Sequence, residues 1–139
     1  MTITLKMPGG GKEKIKPASV LVVREPLDFE RDESPEVQAM VLGSGYRLYP
    51  AVSVNDLINL IGGETTLVRL TAPTGTPLFV NAERVTDRDA RSAIVDHEET
   101  NSVLLFGPGP NSNRIRVRET KEDLVLLWQK HGLDVSVLD

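Results

Sequence analysis

"AVSVNDLINLIGG", residues 51–63, reads as a short helix that closes a folding unit. Ser53 can act as the N-cap, because its hydroxyl can accept a hydrogen bond from an amide of the first turn. Asp56 follows at the position where an acid suits the positive end of the helix dipole. Gly62 suits the end of the helix. The apolar stripe of this helix consists of Leu57, Leu60 and Ile61.

A second stretch, "RETKEDLVLLWQKHG" at residues 118–132, repeats these signals. Thr120 takes the place of the N-cap serine, and Asp123 takes the place of the first-turn acid. Gly132 can end the helix, and His131 in the last turn suits the negative end of the dipole. The apolar stripe here consists of Leu124, Leu127 and Trp128. The sequence therefore predicts two short helices.

The segments that precede the two helices also resemble each other, which indicates an internal repeat. Residues 3–20 align with residues 68–85 without a gap, and "AMVLG" at 39–43 matches "VLLFG" at 103–107. The matched pairs in the first alignment are Ile3 with Val68, Leu5 with Leu70, Pro8 with Pro73, Gly10 with Gly75, Ile15 with Val80 and Val20 with Val85. The competing interpretation is that two generic β-rich stretches align by chance when gaps are placed freely.

Short alternating apolar stretches separated by proline and glycine turns predict about five strands in each copy. We therefore expect a mainly β fold with two short helices, a β-rich α+β protein built as a tandem repeat of a small barrel or sheet unit. The predicted repeats span residues 1–63 and 64–132, and residues 133–139 form a strand-like tail. A unit of this size has only a small core of its own, so the two copies are expected to pack together or to pack against another subunit.

Composition limits the chemistry. The chain has 139 residues, 4% aromatic side chains, a formal charge of −4 and no cysteine, which excludes disulfides, thiolate zinc sites and cysteine nucleophiles. "MPGGGKE" at residues 7–13 lacks the Ser/Thr and the following helix of a phosphate loop, so a hairpin turn is expected there. No cofactor or metal is predicted. No signal peptide or membrane span is apparent, so we expect a soluble protein of the cytoplasm or of a virion.

The second half resembles the small FlbD-like bacterial proteins associated with flagella and swarming. The similarity lies in "LVRLTAPTGTPLFVNAERV" at residues 67–85 and in "NSVLLFG…RIRVRETKEDLVLL" between residues 101 and 127, with Asn81 at the family's asparagine position. It covers about half of the chain. The resemblance implies a small β-rich unit with a terminal helix. The doubling and the long "GPGPNSN" loop at residues 107–113 depart from the family pattern.

The C-terminal "LDVSVLD" alternates apolar and polar residues, which is typical of a half-buried strand. Such a strand could pair within its own fold or be added to the sheet of a neighbouring subunit. The candidate partner-binding residues are Leu133, Val135 and Val137.

Two basic segments are candidates for nucleic-acid contact. In a strand, alternation places the side chains of Arg114, Arg116 and Arg118 on one face, where they would suit phosphates. The N-terminal hairpin carries a comparable set, Lys12, Lys14 and Lys16, with Lys6 nearby. The alternative interpretation is a solvated sheet face whose arginines pair with acids of neighbouring strands.

Two acidic segments complete the polar features. His97 lies among carboxylates in "DHEET", which could hold a divalent metal or serve a hydrolase, but a solvated acidic patch explains it more simply. "DFERDESPE" at residues 28–36 predicts a mobile surface loop, and a loop of this length can also dock on a basic partner.

No catalytic set emerges from these residues, so we predict a non-enzymatic structural or assembly subunit. Its expected partners are other protein subunits, either as a homo-oligomer or within a larger complex. A phage-type particle, in which such a chain would be a cement, connector or tail-adaptor protein, is the setting suggested by analogy. The alternative is a small-barrel nucleic-acid binder that uses the Arg and Lys sets above. A third interpretation is the hydrolase based on His97.

Overall fold

The fold is mainly β, as predicted. The computed structural model describes residues 1–94, 96–107 and 113–139. In this part of the chain ten strands form three sheets, accompanied by three α-helices. The strands are β1 (Ile3–Lys6), β2 (Lys12–Ile15), β3 (Val20–Arg24), β4 (Met40–Gly43), β5 (Tyr46–Leu48), β6 (Leu67–Thr71), β7 (Pro77–Asn81), β8 (Asp87–Ala90), β9 (Ser102–Phe106) and β10 (Asn113–Val117). The helices are α1 (Asp28–Glu33), α2 (Val54–Ile61) and α3 (Lys121–Lys130).

The chain divides into two compact units. The first contains Met1–Leu67 together with Leu78–Val80, and the second contains Val68–Pro77 and Asn81–Asp139. The units therefore differ from the contiguous ranges 1–63 and 64–132, because the centre of β7 belongs to the first unit.

The first unit begins with the predicted hairpin. Strands β1 and β2 pair antiparallel, with Ile3 opposite Ile15 and Lys6 opposite Lys12. The Pro/Gly turn between them is closed by the Met7 amide, which donates to the Gly11 carbonyl at 2.8 Å. In a second sheet β3 pairs antiparallel with β4 and with residues 78–80 of β7, and β4 pairs antiparallel with β5.

Helix α2 closes the core of the first unit. Ser53 caps it by accepting from the Asp56 amide at 3.2 Å, as predicted, and Gly62 is its C-cap. Leu57 and Ile61 are completely buried. They pack in one cluster with side chains of β1, β2, β3 and β4, which include Ile3, Leu5, Ile15, Val20 and Val41. The helix thus covers apolar surface that the short strands would leave open to water.

The second unit has the three-stranded sheet β10-β9-β8 and helix α3. Thr120 and Asp123 form the predicted capping box: Asp123 N donates to the threonine hydroxyl at 3.2 Å, and Thr120 N donates to the aspartate carboxylate at 3.1 Å. Leu124 and Trp128 are buried. Gly132, at φ 71°, follows the helix in the left-handed conformation that glycine tolerates.

Residues 1–63 and 64–132 share a core order of elements, which is a hairpin, a 3₁₀ helix, three further strands paired in succession, and a closing helix. The first of these segments also contains helix α1. The 3₁₀ helices Pro17–Ser19 and Ala82–Arg84 lie at equivalent positions of the ungapped alignment. A matching hydrogen bond precedes each closing helix. The Ala51 amide, two residues before the N-cap of α2, donates to the Lys6 carbonyl at the end of β1 at 2.8 Å. The Arg118 amide, two residues before the N-cap of α3, donates to the Thr71 carbonyl at the end of β6 at 2.8 Å. These equivalences favour a tandem repeat, which stays a prediction.

Three expectations are corrected. None of the three sheets closes into a barrel within residues 1–94, 96–107 and 113–139. Residues 28–33 of the expected loop form helix α1, which makes three α-helices rather than two. The prediction of a C-terminal strand is also wrong, since Val135–Leu138 is a 3₁₀ helix. The Asp134 carboxylate accepts a hydrogen bond from the Ser136 amide at 2.9 Å, and this contact turns the chain. Of the "GPGPNSN" loop, residues 108–112 lie outside the described residues.

Replacement of Thr120 by alanine should destabilise the chain by about 1 kcal/mol, because the capping box loses its side-chain acceptor. Urea unfolding followed by circular dichroism measures the change. Thr120→Ser is the matched control and should stay close to the wild type, since serine keeps the hydroxyl. Equal losses in both variants would contradict the capping role.

Candidate interaction surfaces

The outward side of the β1–β2 hairpin carries an unpaired basic surface, which we call the lysine face: Lys6, Lys12 and Lys14. Lys6 lies directly opposite Lys12, and Lys14 lies opposite Thr4, so strand alternation puts all three on the side away from Leu5 and Ile15. All three are exposed, and within the described residues none of them forms an ion pair or a side-chain hydrogen bond. Lys16 is also exposed and follows the end of β2.

Like charges placed directly opposite each other destabilise a strand pair. The Lys6–Lys12 pair therefore carries an electrostatic cost, and within the described part of the chain no ion pair offsets it. A partner that supplies negative charge would remove this cost.

The three predicted arginines occupy β10 and the residue after it, but each already has a partner. Arg114 forms an ion pair with Asp89 at 3.5 Å, and Arg116 pairs with Asp96. Arg118 donates from Nε to the Pro73 carbonyl at 3.0 Å. The ion pairs of Arg114 and Arg116 thus agree with the alternative interpretation, in which the arginines of a solvated sheet face pair with acids.

The Asp96 carboxylate is held by two groups. The Ser92 amide donates to it at 2.7 Å, and the Arg116 guanidinium pairs with it. The Ser92 hydrogen bond first, and the arginine second, lower the pKa of Asp96 below its usual value. The arginines of β10 therefore form ion pairs within their own unit. Of the two basic segments, the lysine face is the one without acid partners among the described residues.

Helix α1 is held by one buried carboxylate. The side chain of Glu30 accepts from the Arg24 guanidinium at 3.0 Å and from the Leu27 amide at 2.7 Å. Burial by itself would raise the pKa of Glu30, but Arg24, the Leu27 amide and the nearby Tyr49 hydroxyl outweigh it and lower the pKa. Burial, together with the Glu30 charge, raises the pKa of Tyr49.

Beside this network lies an open cleft of about 270 Å³, which we call the α1 cleft. It is lined by Pro8, Phe29, Glu30, Glu33, Ser34, Val37 and Tyr49. Phe29 is 62% exposed, and Leu27 at the start of the helix is 43% exposed. The Gly9 amide donates to the Glu36 carboxylate at 2.7 Å, which ties the β1–β2 turn to the segment after α1.

One exposed carboxylate lines the α1 cleft. It belongs to Glu33, and it forms no ion pair or hydrogen bond with another described residue. An apolar floor with an aromatic side chain and one unpaired carboxylate suits a basic, partly apolar protein segment.

The predicted partner-binding residues of the tail lie on the 3₁₀ helix or just before it. Leu133, Val135 and Val137 are half-buried, and the 3₁₀ helix packs against α3 and β8. Leu133 and Val137 border a small cleft of about 220 Å³ together with Trp128. Because the segment is a 3₁₀ helix and not an extended strand, the predicted addition of this tail to the sheet of a neighbouring subunit is not supported.

His97 is exposed, and its Nδ1 accepts from the Glu99 amide at 3.0 Å within a local turn. Among the residues that the structure describes, no cluster of three or more His, Asp or Glu side chains could hold a metal ion.

Sequence reasoning missed the α1 cleft, because six residues with five charges give no helical apolar pattern. One signal was present. Glu30 lies three residues after Leu27, at the capping-box position from which a glutamate reaches back to the N-cap amide.

No protein-family model, curated protein or solved structure matches this chain. The FlbD-like resemblance therefore stays a prediction. In the described segments no helix is both long and apolar enough to cross a bilayer.

Replacement of Glu30 by glutamine should destabilise the chain at pH 7 by about 1–3 kcal/mol, because buried donors lose a charged acceptor. The folded pKa of Glu30 is lowered, so its contribution is complete above its unfolded pKa of about 4.3 and is lost as the pH falls through the folded value. The stability difference between wild type and variant should therefore shrink on acidification. Urea unfolding at a series of pH values measures it.

Glu33→Gln is the control for this series. Glu33 lies at the surface of the same helix, so this change should stay within about 0.5 kcal/mol of the wild type. A Glu30→Gln penalty that is independent of pH would contradict the role given to the buried carboxylate.

Proposed function

We propose that the chain is a non-enzymatic assembly subunit of a large particle, such as a phage virion, in which it would serve as a cement, connector or tail-adaptor protein. The observation that carries the proposal is the surface of the first unit. It combines an unpaired lysine face with an open apolar cleft that is lined by the unpaired carboxylate of Glu33. Surfaces of this kind cost stability or solubility in isolation and gain from contact with other subunits.

Both surfaces rest on secondary structure, which favours protein–protein contact. The lysines stand on a paired hairpin, and the cleft is bounded by a helix fixed through Glu30 and Arg24. A surface that is already ordered loses less conformational entropy on association than a free loop does. The proposed role therefore needs no disordered docking segment.

The assembly proposal can be tested by the mass of the purified chain in native conditions. We expect a fixed oligomer, or a species that grows with concentration, above the 15.3 kDa monomer. In extracts of the source cells we expect the protein to sediment with a particle. A monomer in both settings would count against an assembly role.

The alternative proposal, a nucleic-acid binder, is favoured by one observation, the absence of acid partners for the lysine face within the described residues. It is weakened by the pairing of Arg114 and Arg116 with aspartates and by the net charge of −4. These features remove much of the positive potential that phosphate binding uses.

Binding of a fluorescent duplex and of a single strand separates the two proposals. An assembly subunit should bind nucleic acid only weakly at physiological salt, and Lys12→Glu with Lys14→Glu should change this little. Micromolar or tighter affinity that falls steeply with salt, and that is lost in this double variant, would instead support the nucleic-acid binder. Arg69→Glu with Lys130→Glu, two exposed cations elsewhere, is the charge-matched control.

A further inference from the structure

We propose that β2 of one molecule pairs antiparallel with β8 of a second copy of the same chain, so that a sheet continues across the contact. This inference deepens the assembly role proposed above and rests on it and on the predicted repeat. Both strands lie at the edge of a sheet. Among the residues that the structure describes, β2 (Lys12–Ile15) pairs only with β1, and β8 (Asp87–Ala90) pairs only with β9. Their outer edges therefore offer backbone amide and carbonyl groups that another strand can bind.

The first unit already contains a strand pair of the required kind. Residues 78–80 of β7 pair antiparallel with β3, and Phe79 lies opposite Val23. In the ungapped alignment of residues 3–20 with residues 68–85, β2 corresponds to β7. The strand that corresponds to β3 is therefore the expected partner of β2.

That strand is β8, because β3 and β8 pair in the same way with the next strand of their sheet. Val23 of β3 lies opposite Val41. Asp87 of β8 lies opposite Leu105. Val41 and Leu105 occupy the same position in the match between "AMVLG" and "VLLFG". Asp87 therefore corresponds to Val23.

The observed β7–β3 register then predicts which residues face each other in the contact. Lys14 corresponds to Phe79 in the alignment, so it should lie opposite Asp87. The next two pairs of this antiparallel register are Glu13 with Arg88 and Lys12 with Asp89. All three pairs join opposite charges, and such cross-strand pairs stabilise a sheet. This charge match is independent support, because the alignment rests on apolar and turn residues.

Two aspartates of β8 share one side of the strand, as the lysines of β2 do. Asp87 and Asp89 alternate with Arg88 and are exposed. The C-terminal 3₁₀ helix packs against β8 and leaves both aspartates exposed. The ion pair of Asp89 with Arg114, at 3.5 Å, lies at the surface, where such pairs contribute little. Both carboxylates are therefore accessible to the lysines of a second molecule.

The charges also select this pair of edges. Two β2 strands would place lysines beside lysines, and two β8 strands would place aspartates beside aspartates. In the proposed contact Asp89 lies beside Lys12, and it relieves the repulsion between Lys12 and Lys6. Because the two edges differ, the contact is heterologous, so the assembly closes into a ring or grows with protein concentration.

A contact between two short strands is small, so its affinity should be weak. Sedimentation equilibrium of the full chain at roughly 100 µM and about 50 mM salt should show self-association. The affinity should fall about tenfold or more at about 500 mM salt, because salt screens the charge pairs. A monomer under the low-salt condition would overturn the inference. The assembly role would then be judged separately, by sedimentation with a particle from source cells.

Disulfide trapping tests the register. The chain has no cysteine, so one cysteine introduced into each of two variants reports a single contact. A mixture of Lys14→Cys and Asp87→Cys should form more covalent dimer under mild oxidation than either variant alone, because directly opposite Cα atoms lie about 4.5–5.5 Å apart. Asp89→Cys is the matched control partner for Lys14→Cys. Its Cα would lie about 7–8 Å away, so it should give little crosslink. Equal yields would overturn the inference.

Charge reversal identifies the two edges. Lys12→Glu with Lys14→Glu should abolish self-association, because like charges then face each other. Asp87→Lys with Asp89→Lys should abolish it for the same reason. The four side chains are exposed, so both double variants should fold, which circular dichroism and thermal unfolding check. If the second variant unfolds, Asp87→Asn with Asp89→Asn takes its place and should weaken self-association about tenfold.

Mixing the two charge-reversed variants is the decisive measurement. Each is monomeric alone, but the glutamates on β2 of one should pair with the lysines on β8 of the other, so that a mixed complex forms. A mixture that stays monomeric, with both variants folded and the wild type oligomeric, would overturn the inference and leave the assembly role standing. The charge-matched controls, Arg69→Glu with Lys130→Glu and Glu98→Lys with Glu99→Lys, should self-associate like the wild type.

Discussion

In each unit the closing helix is joined to the first strand by a backbone hydrogen bond that belongs to no regular element. The Ala51 amide binds the Lys6 carbonyl in the first unit, and the Arg118 amide binds the Thr71 carbonyl in the second. This bond sets where the capped helix begins relative to the hairpin. The short strands of each unit bury their aliphatic side chains only when that helix covers them, so core, sheet and helix depend on the same contact.

Helix α1 illustrates a different kind of stabilisation. Its six residues are too few to form a helix from local propensity alone. The Glu30 carboxylate supplies what propensity does not, since it binds Arg24 in β3 and the Leu27 amide at the start of the helix. The helix, its exposed Phe29 and the cleft beside it thus exist because one charged side chain is buried among donors. This arrangement links the stability of the first unit to the shape of its proposed docking surface.

The two basic segments look alike in the sequence and differ in the fold. Alternation of charged and apolar residues predicts that Arg114 and Arg116 lie on one side of a strand, whereas the common side of Lys12 and Lys14 follows from the register of β1 and β2. Whether an acid lies beside a basic residue depends on strand order and on loops that are distant in sequence. Asp89 and Asp96 reach the arginines from β8 and from the loop after it. Among the residues that the structure describes, no acid pairs with the lysines.

The sequence by itself determined the mainly β composition, the two capped helices and the hairpin turns, because caps, glycine turns and apolar alternation act over three to five residues. It did not determine the conformation of residues 28–33 or of the tail. Alternation at Leu133–Val137 predicts a strand, yet Asp134 turns the segment into a 3₁₀ helix that packs on α3 and β8. Only the tertiary structure decided which charges are paired and where a cleft remains, since both depend on contacts between residues far apart in the chain.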